Sequence, residues 1–196
     1  ASQPDAPVAL FGGADDMDIR VDLTDVNGNV VRSANETTAP KGAESAFALN
    51  NKYVSFLSKP AGTILTNDDL ALRYNTADEN YYVYMNGKTF DKEGTYEIKI
   101  VLDNGNYVTV PFEVKRFETP VSIQLDYEQT TIELAGKSNV PKVKYIDANG
   151  TKQDASKKVT LAGTGYAISN FANNGQITVK NDEKYVGQTI TVTAVD

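Results

Sequence analysis

Five Asn-Gly dipeptides divide this chain into short segments, and they constrain its fold more than any other feature. They are Asn27-Gly28, Asn86-Gly87, Asn104-Gly105, Asn149-Gly150 and Asn174-Gly175. Both residues tolerate a positive φ, which the two-residue hairpin turns of type I′ require. We therefore predict β-hairpins with type I′ turns at these positions.

Short runs that alternate between polar and apolar residues lie between these turns, as expected for strands with one buried face. The clearest runs are residues 18–23, 96–101, 177–179 and 188–193. Residues 107–114 form the return strand of a hairpin that contains Pro111, which cannot donate to a ladder and predicts an edge or a bulge there. Helical periodicity is scarce, apart from one short turn at 67–72. Short strands with frequent turns predict an all-β protein of the sandwich type.

A domain boundary is predicted at Phe117-Glu118-Thr119-Pro120. The preceding hairpin ends there, and Pro120 restarts the chain in an extended conformation. We therefore expect two domains, residues 1–117 and residues 118–196, with most of the net charge of −7 in the first. The chain begins without Met or a secretion signal and ends with a strand, which we interpret as a processed chain or a fragment of a longer polypeptide.

The second predicted domain resembles the bacterial immunoglobulin-like domains that are repeated along surface proteins. The residues that carry the resemblance are 121–123, 131–136, 143–151 with their Asp-x-Asn-Gly turn, 175–179 and 186–192. The Trp often found in the middle strand of that family is replaced here by Val159-Thr160-Leu161. The first domain repeats the Asp-x-Asn-Gly turn at residues 25–28. Its Asp91-x-x-Gly94-x-Tyr96 stretch is similar to the one in which a Tyr hydroxyl pins a loop of such sandwiches. The resemblance implies two tandem immunoglobulin-like β-sandwiches.

The composition is similar to that of bacterial surface-layer proteins. The pI is about 4.7, the chain has neither Cys nor His, and it has two Met. The resemblance implies a structural function, as a spacer and self-assembly module in the bacterial cell wall or surface layer, outside the cell. Two alternatives stay open: an adhesin module that binds carbohydrate or a host surface, and a non-catalytic accessory module of a secreted hydrolase.

Several function classes are disfavoured by composition. Without Cys or His the chain offers no thiolate or imidazole chemistry and no transition-metal ligands of those types. The acidic balance argues against nucleic acid, and no apolar run approaches the roughly 20 residues of a membrane helix. Carboxylate pairs could serve a glycosidase, but among 26 acidic residues some pair always lies at a suitable distance. We expect no enzymatic activity.

One acidic cluster is the leading candidate for a cation site. Asp15, Asp16 and Asp18 follow a Gly-Gly pair, and three carboxylates on one loop could converge on Ca²⁺, which takes 6–8 oxygen ligands. Asp68-Asp69 and Asp78-Glu79 are secondary candidates. The alternative interpretation is a solvated acidic surface that keeps the chain soluble.

An aromatic run is the candidate binding surface. Alternation places Tyr82 and Tyr84 on one face of a strand and Tyr81 and Val83 on the other. Exposed Tyr side chains could stack on sugars or form an interface. The alternative is that the run faces the core.

Overall fold

The computed structural model describes residues 3–29, 53–75, 80–102 and 104–196. The described strands are β1 (Val8–Ala9), β2 (Arg20–Val21), β3 (Val54–Ser58), β4 (Leu70–Asn75), β5 (Asn80–Met85), β6 (Gly94–Val101), β7 (Tyr107–Lys115), β8 (Pro120–Asp126), β9 (Lys142–Asp147), β10 (Lys152–Asp154), β11 (Thr160–Thr164), β12 (Ile168–Phe171), β13 (Ile177–Val179) and β14 (Thr191–Val195). Within these ranges, the helical elements are one short helix, α1 (Ala14–Met17), and two 3₁₀ turns, Asn67–Asp69 and Glu183–Tyr185. The predicted all-β class is confirmed.

The chain divides into two compact units. Unit 1 comprises Ala1–Thr119 together with Asp147–Gln153, and unit 2 comprises Pro120–Ile146 together with Asp154–Asp196. The division of the sequence at residue 117, and the immunoglobulin-like character of each part, stay predictions.

The described residues of unit 1 form two sheets. One has the order β3-β6-β7-β1-β10, in which β3, β6 and β7 are antiparallel while β1 runs parallel to both β7 and β10. The other is the antiparallel sheet β2-β5-β4. Apolar side chains of both sheets belong to one buried cluster, which is the arrangement of a sandwich.

Aromatic rings lie at the centre of this core. Phe90 and Tyr96 are fully buried, and Phe90 meets the rings of Tyr96 and Phe112 edge-on at 5.1 and 5.6 Å. Tyr96 and Phe112 stack at 5.6 Å, and they sit opposite each other in the register of β6 and β7. Such pairs contribute about 0.5–1.5 kcal/mol each beyond the area they bury.

Pro111 occupies an edge position, as predicted. It lies in β7 opposite Glu97 of β6, and on its other side β1 reaches only Val114 and Lys115. The missing N–H of Pro111 therefore removes no ladder bond to β1.

The predicted type I′ geometry of the Asn-Gly turns is wrong. In all five dipeptides the Gly has a positive φ, and none of the Asn residues does. In four of them the Gly amide donates to the carbonyl three residues earlier, for example from Gly105 to Leu102 at 2.9 Å, and the flanking residues pair around it. These are three-residue loops with a Gly bulge. Such a loop needs a positive φ only at the Gly, whereas a type I′ turn needs a positive φ at the Asn as well.

Unit 2 contains three pairs of strands, β8-β9, β11-β14 and β12-β13. One of its cores has only Ala167, Ile177 and Val179 as buried residues, with partly buried side chains around them. Gly163 lets the Phe171 ring pack directly against the backbone of β11, because a Cβ at this position would lie 2.4 Å from the ring.

Candidate functional site

The structure describes two side chains of the predicted calcium cluster. The Asp16 Oδ2 atom accepts a hydrogen bond from the amide of Gly13 at 3.3 Å, which closes the first turn of α1. Asp18 is exposed and ends α1 in the left-handed conformation, with φ of 47°. The side chain of Asp15 lies outside the described part. Among the described residues no three acidic side chains form a group that could hold a metal. The calcium site therefore stays a prediction, which a thermal melt in Ca²⁺ against chelator tests.

Of the secondary acidic candidates, the structure shows the side-chain contacts of Asp69. The Oδ2 atom of Asp69 accepts hydrogen bonds from the amide and hydroxyl of Thr66, at 2.8 and 3.3 Å, and caps the first 3₁₀ turn. The Lys88 Nζ atom lies 3.9 Å from its other oxygen. Asp78 and Glu79 lie outside the described residues.

In both Asp-x-Asn-Gly turns, the Oδ1 atom of the Asp accepts hydrogen bonds from the amides two and four residues ahead. In the turn at 25–29, the Asp25 Oδ1 atom accepts from the amides of Asn27 and Asn29, at 2.8 and 2.9 Å. In the turn at 147–151, the Asp147 Oδ1 atom accepts from Asn149 and Thr151, at 3.0 and 2.8 Å.

The surroundings of these two turns differ. Every residue of the turn at 25–29 is exposed, whereas Asp147 and Thr151 are 2% and 0% exposed. The second oxygen of Asp147 also accepts from the amide of Glu118 at 3.1 Å. The pKa of Asp25 lies below its ordinary value because the Asn29 side chain, and then the backbone amides of Asn29 and its neighbours, stabilise the carboxylate.

The Asp91–Tyr96 loop has the predicted pinned geometry. The Tyr96 hydroxyl donates to the carbonyl of Lys92 at 2.9 Å. Burial raises the pKa of this phenol. Asp91 accepts from the Thr63 hydroxyl and from the Ile64 amide. Desolvation alone would raise the pKa of Asp91, but these hydrogen bonds outweigh it and hold the pKa below its ordinary value.

A further carboxylate caps the second 3₁₀ turn. Asp182 accepts from the amide of Lys184 at 3.1 Å and pairs with its ammonium at 2.7 Å. The hydrogen bond from the Lys184 side chain is the main reason that the pKa of Asp182 is lowered, and the same bond raises the pKa of Lys184.

The aromatic run alternates as predicted. Tyr81 and Val83 are 4% and 2% exposed and belong to the core of unit 1, whereas Tyr82 and Tyr84 are partly buried. Only one face of this strand could contribute to a binding surface.

These carboxylates share one role: they accept hydrogen bonds from turn and loop amides. Sequence reasoning identified the Asp-x-Asn-Gly turns but did not assign the side chains of Asp91 and Asp147. The Asp147–Asn149 bond follows a known pattern in which Asp binds the amide two residues ahead. The bonds of Asp91 to Thr63 and of Asp147 to Glu118 join residues far apart in sequence, and no local signal predicts them.

No protein-family model matches the chain, and no curated protein matches it. Within the described residues, no helix has the length and apolar character needed to cross a membrane.

Proposed function

We propose that this chain is a pair of structural modules of a bacterial cell-surface assembly, of the surface-layer type, which space the assembly and self-associate in it. The observation that carries the proposal is that six carboxylates accept hydrogen bonds from backbone amides of turns and loops. They are Asp16, Asp25, Asp69, Asp91, Asp147 and Asp182.

Restrained loops suit a spacer because they leave little local freedom between strands. A hydrogen bond to a charged acceptor contributes about 1.5–3 kcal/mol when it is sheltered from water. Asp147 accepts three such bonds from amides while nearly fully buried. These hydrogen bonds thus support a stiff module.

Self-association is supported by the edge of β14. This strand pairs with β11 in regular register over five residues and with no other described strand. Residues 187–195 carry no charge and no Pro, and Thr193 is exposed at the centre of the strand. Edge strands are commonly protected by charge, Pro or a bulge. An uncharged edge can pair with a second copy of itself without repulsion between like charges.

Sedimentation velocity of the full chain over a range of concentrations tests this surface. We expect wild type to dimerise, Thr193→Lys and Thr193→Glu to be monomeric separately, and an equal mixture of the two to dimerise again. Thr160→Lys, on the paired strand β11, is the matched control and should behave as wild type. A wild-type chain that stays monomeric at every concentration contradicts self-association, whereas dimers unaffected by either Thr193 variant place the interface elsewhere.

The carbohydrate-binding alternative has one supporting feature. An open groove of about 360 Å³ in unit 1 is lined by residues 3–7 and by parts of β6 and β7, including Glu113. Polar groups such as this carboxylate could orient a sugar. Calorimetric titration with cell-wall oligosaccharides tests it: saturable binding that Glu113→Gln weakens would favour an adhesin or an accessory module.

A further inference from the structure

We propose that Asn27 is the site of spontaneous deamidation in this chain and that Asn149, which lies in the second Asp-x-Asn-Gly motif, is protected by the fold. Both residues occupy the third position of an Asp-x-Asn-Gly turn. The inference rests on the turns alone and does not depend on the proposed function.

The reaction needs only the chain and water. The backbone nitrogen of Gly28 attacks the side-chain carbonyl carbon of Asn27, its proton passes to solvent, and ammonia leaves as the amide C–N bond breaks. The resulting succinimide is then hydrolysed at either of its two carbonyls, giving Asp or isoaspartate. Asn-Gly is a reactive pair because Gly has no side chain to hinder the attack.

The attacking nitrogen is occupied in both folded turns. The amide of Gly28 donates to the carbonyl of Asp25 at 3.0 Å, and the amide of Gly150 donates to that of Asp147 at 3.1 Å. Each turn must therefore open before the reaction, and the rate in the folded protein follows the local opening equilibrium.

Opening is easier at residues 25–29. All five residues there are exposed, so opening this turn breaks hydrogen bonds that water replaces. Opening the turn at 147–151 displaces the buried side chains of Asp147 and Thr151 and breaks the bond from the Glu118 amide. Opening this turn therefore costs more free energy, because water cannot readily form hydrogen bonds with the buried groups while the rest of the unit stays folded.

The other three Asn-Gly pairs are restrained through the Asn side chain. The Oδ1 atoms of Asn104 and Asn174 accept from the amides of Asn106 and Gln176, at 3.0 and 3.1 Å. The Asn86 amide group donates to the carbonyl of Asp68 at 3.3 Å. The side chain can reach the attack geometry only after these bonds break, which adds to the cost of opening each turn.

The product changes the turn and its charge. Each conversion adds a carboxylate close to Asp22 and Asp25, in a chain that is already acidic. Isoaspartate also inserts a carbon into the backbone, which displaces the bond that joins the Asp25 amide to the Asn29 carbonyl. The fraction of molecules with a modified turn should therefore increase with the age of the protein.

Peptide mapping by mass spectrometry of the native chain, aged in mildly alkaline buffer, tests the proposal. We expect Asn27 to convert at least about tenfold faster than Asn149, equivalent to about 1.4 kcal/mol in opening free energy. In denaturant the two rates should become similar, because both Asn residues lie in an Asp-x-Asn-Gly motif and are followed by Gly. Equal native rates, or faster conversion at any of the other four sites, would overturn the proposal.

Two variants test whether the hydrogen bonds of Asp147 are the reason that Asn149 converts slowly. Asp147→Asn turns one acceptor oxygen into an amide donor facing the Glu118 amide, so Asn149 should convert several-fold faster than in wild type. Asp25→Asn is the matched control at the exposed turn and should leave the Asn149 rate unchanged. Hydrogen exchange of β6 and β7 verifies that each variant is folded. An unchanged Asn149 rate in folded Asp147→Asn would overturn the anchoring argument.

Discussion

Units 1 and 2 both bury one face of their strands, but they do so with different side chains. In β7 of unit 1, Val110, Phe112 and Val114 alternate with exposed residues. In β14 of unit 2, Val192 and Ala194 alternate with exposed residues but are themselves only partly buried. Aromatic stacking fills the first core, whereas the second depends on close approach at glycine and on hydrogen bonds such as that from the Tyr127 hydroxyl to the Gly175 carbonyl, 2.6 Å. The same strand pattern therefore supports two kinds of packing.

The largest expected effect is the loss of stability when a core side chain of each unit is replaced by Ala. Phe90→Ala should destabilise unit 1 by about 3–5 kcal/mol, because the side chain is fully buried between two rings. Ile177→Ala should cost unit 2 about 2 kcal/mol, since its partly buried neighbours can close around the cavity. Hydrogen exchange resolved by segment measures each unit separately. Equal losses would contradict the difference in packing.

Two glycines with similar φ values test how tightly the backbone of each unit is packed. Gly175 has a φ of 87°, and a Cβ there would lie 2.6 Å from a Leu161 methyl and 2.8 Å from Pro141. Gly175→Ala should therefore destabilise unit 2 by about 3 kcal/mol, the sum of backbone strain and overpacking. Gly28 has a similar φ of 83° with nothing within 4 Å, so Gly28→Ala should cost only about 1 kcal/mol. Thermal unfolding of both variants measures the two losses, and similar values would mean that strain alone matters.

The two Asp-x-Asn-Gly turns provide the third comparison. Asp147→Ala leaves three amides without their acceptor near a buried site, and should cost about 2–3 kcal/mol. Asp25→Ala removes the same local bonds where water can replace them, and its effect should be much smaller. Denaturant unfolding of the two variants checks the order. A larger loss for the Asp25 variant would show that burial does not control the strength of these caps.

The smallest expected effect is the pH dependence of the loop caps. Asp25, Asp91 and Asp182 have pKa values lowered in the folded state from 3.8. Each therefore adds stability that is present above about pH 4 and is lost as the pH falls through the lower folded pKa. Melting temperatures measured from about pH 5 to about pH 2 should fall less steeply for Asp91→Asn than for wild type. Parallel curves would mean that this carboxylate does not contribute.

The sequence predicted local features better than long-range ones. The β class, the positions of the turns, the edge position of Pro111 and the pinned Tyr96 all follow from residues that are neighbours in sequence. The turn type was wrong because Asn and Gly were treated alike, whereas only Gly takes the left-handed conformation. The pairing of β1 with both β7 and β10 could not be predicted, because a two-residue strand has no detectable period. The bonds from the Ile64 amide to Asp91 and from the Glu118 amide to Asp147 could not be predicted either, because they join residues 27 and 29 positions apart that only the fold brings together.

The pairing of β1 with β10 has a consequence for biosynthesis. Val8 pairs with Lys152, and Asp5 forms an ion pair with the same lysine from 147 positions earlier in the chain. A ribosome extends a chain at about 5–20 residues per second. The first strand therefore emerges many seconds before its last partner, and unit 1 cannot be completed until the whole first segment of unit 2, Pro120–Ile146, has been translated. Contacts this distant in sequence also slow folding in general. Until Lys152 emerges, the β10-facing edge of β1 is open on the nascent chain, where a chaperone or a neighbouring nascent chain could bind it.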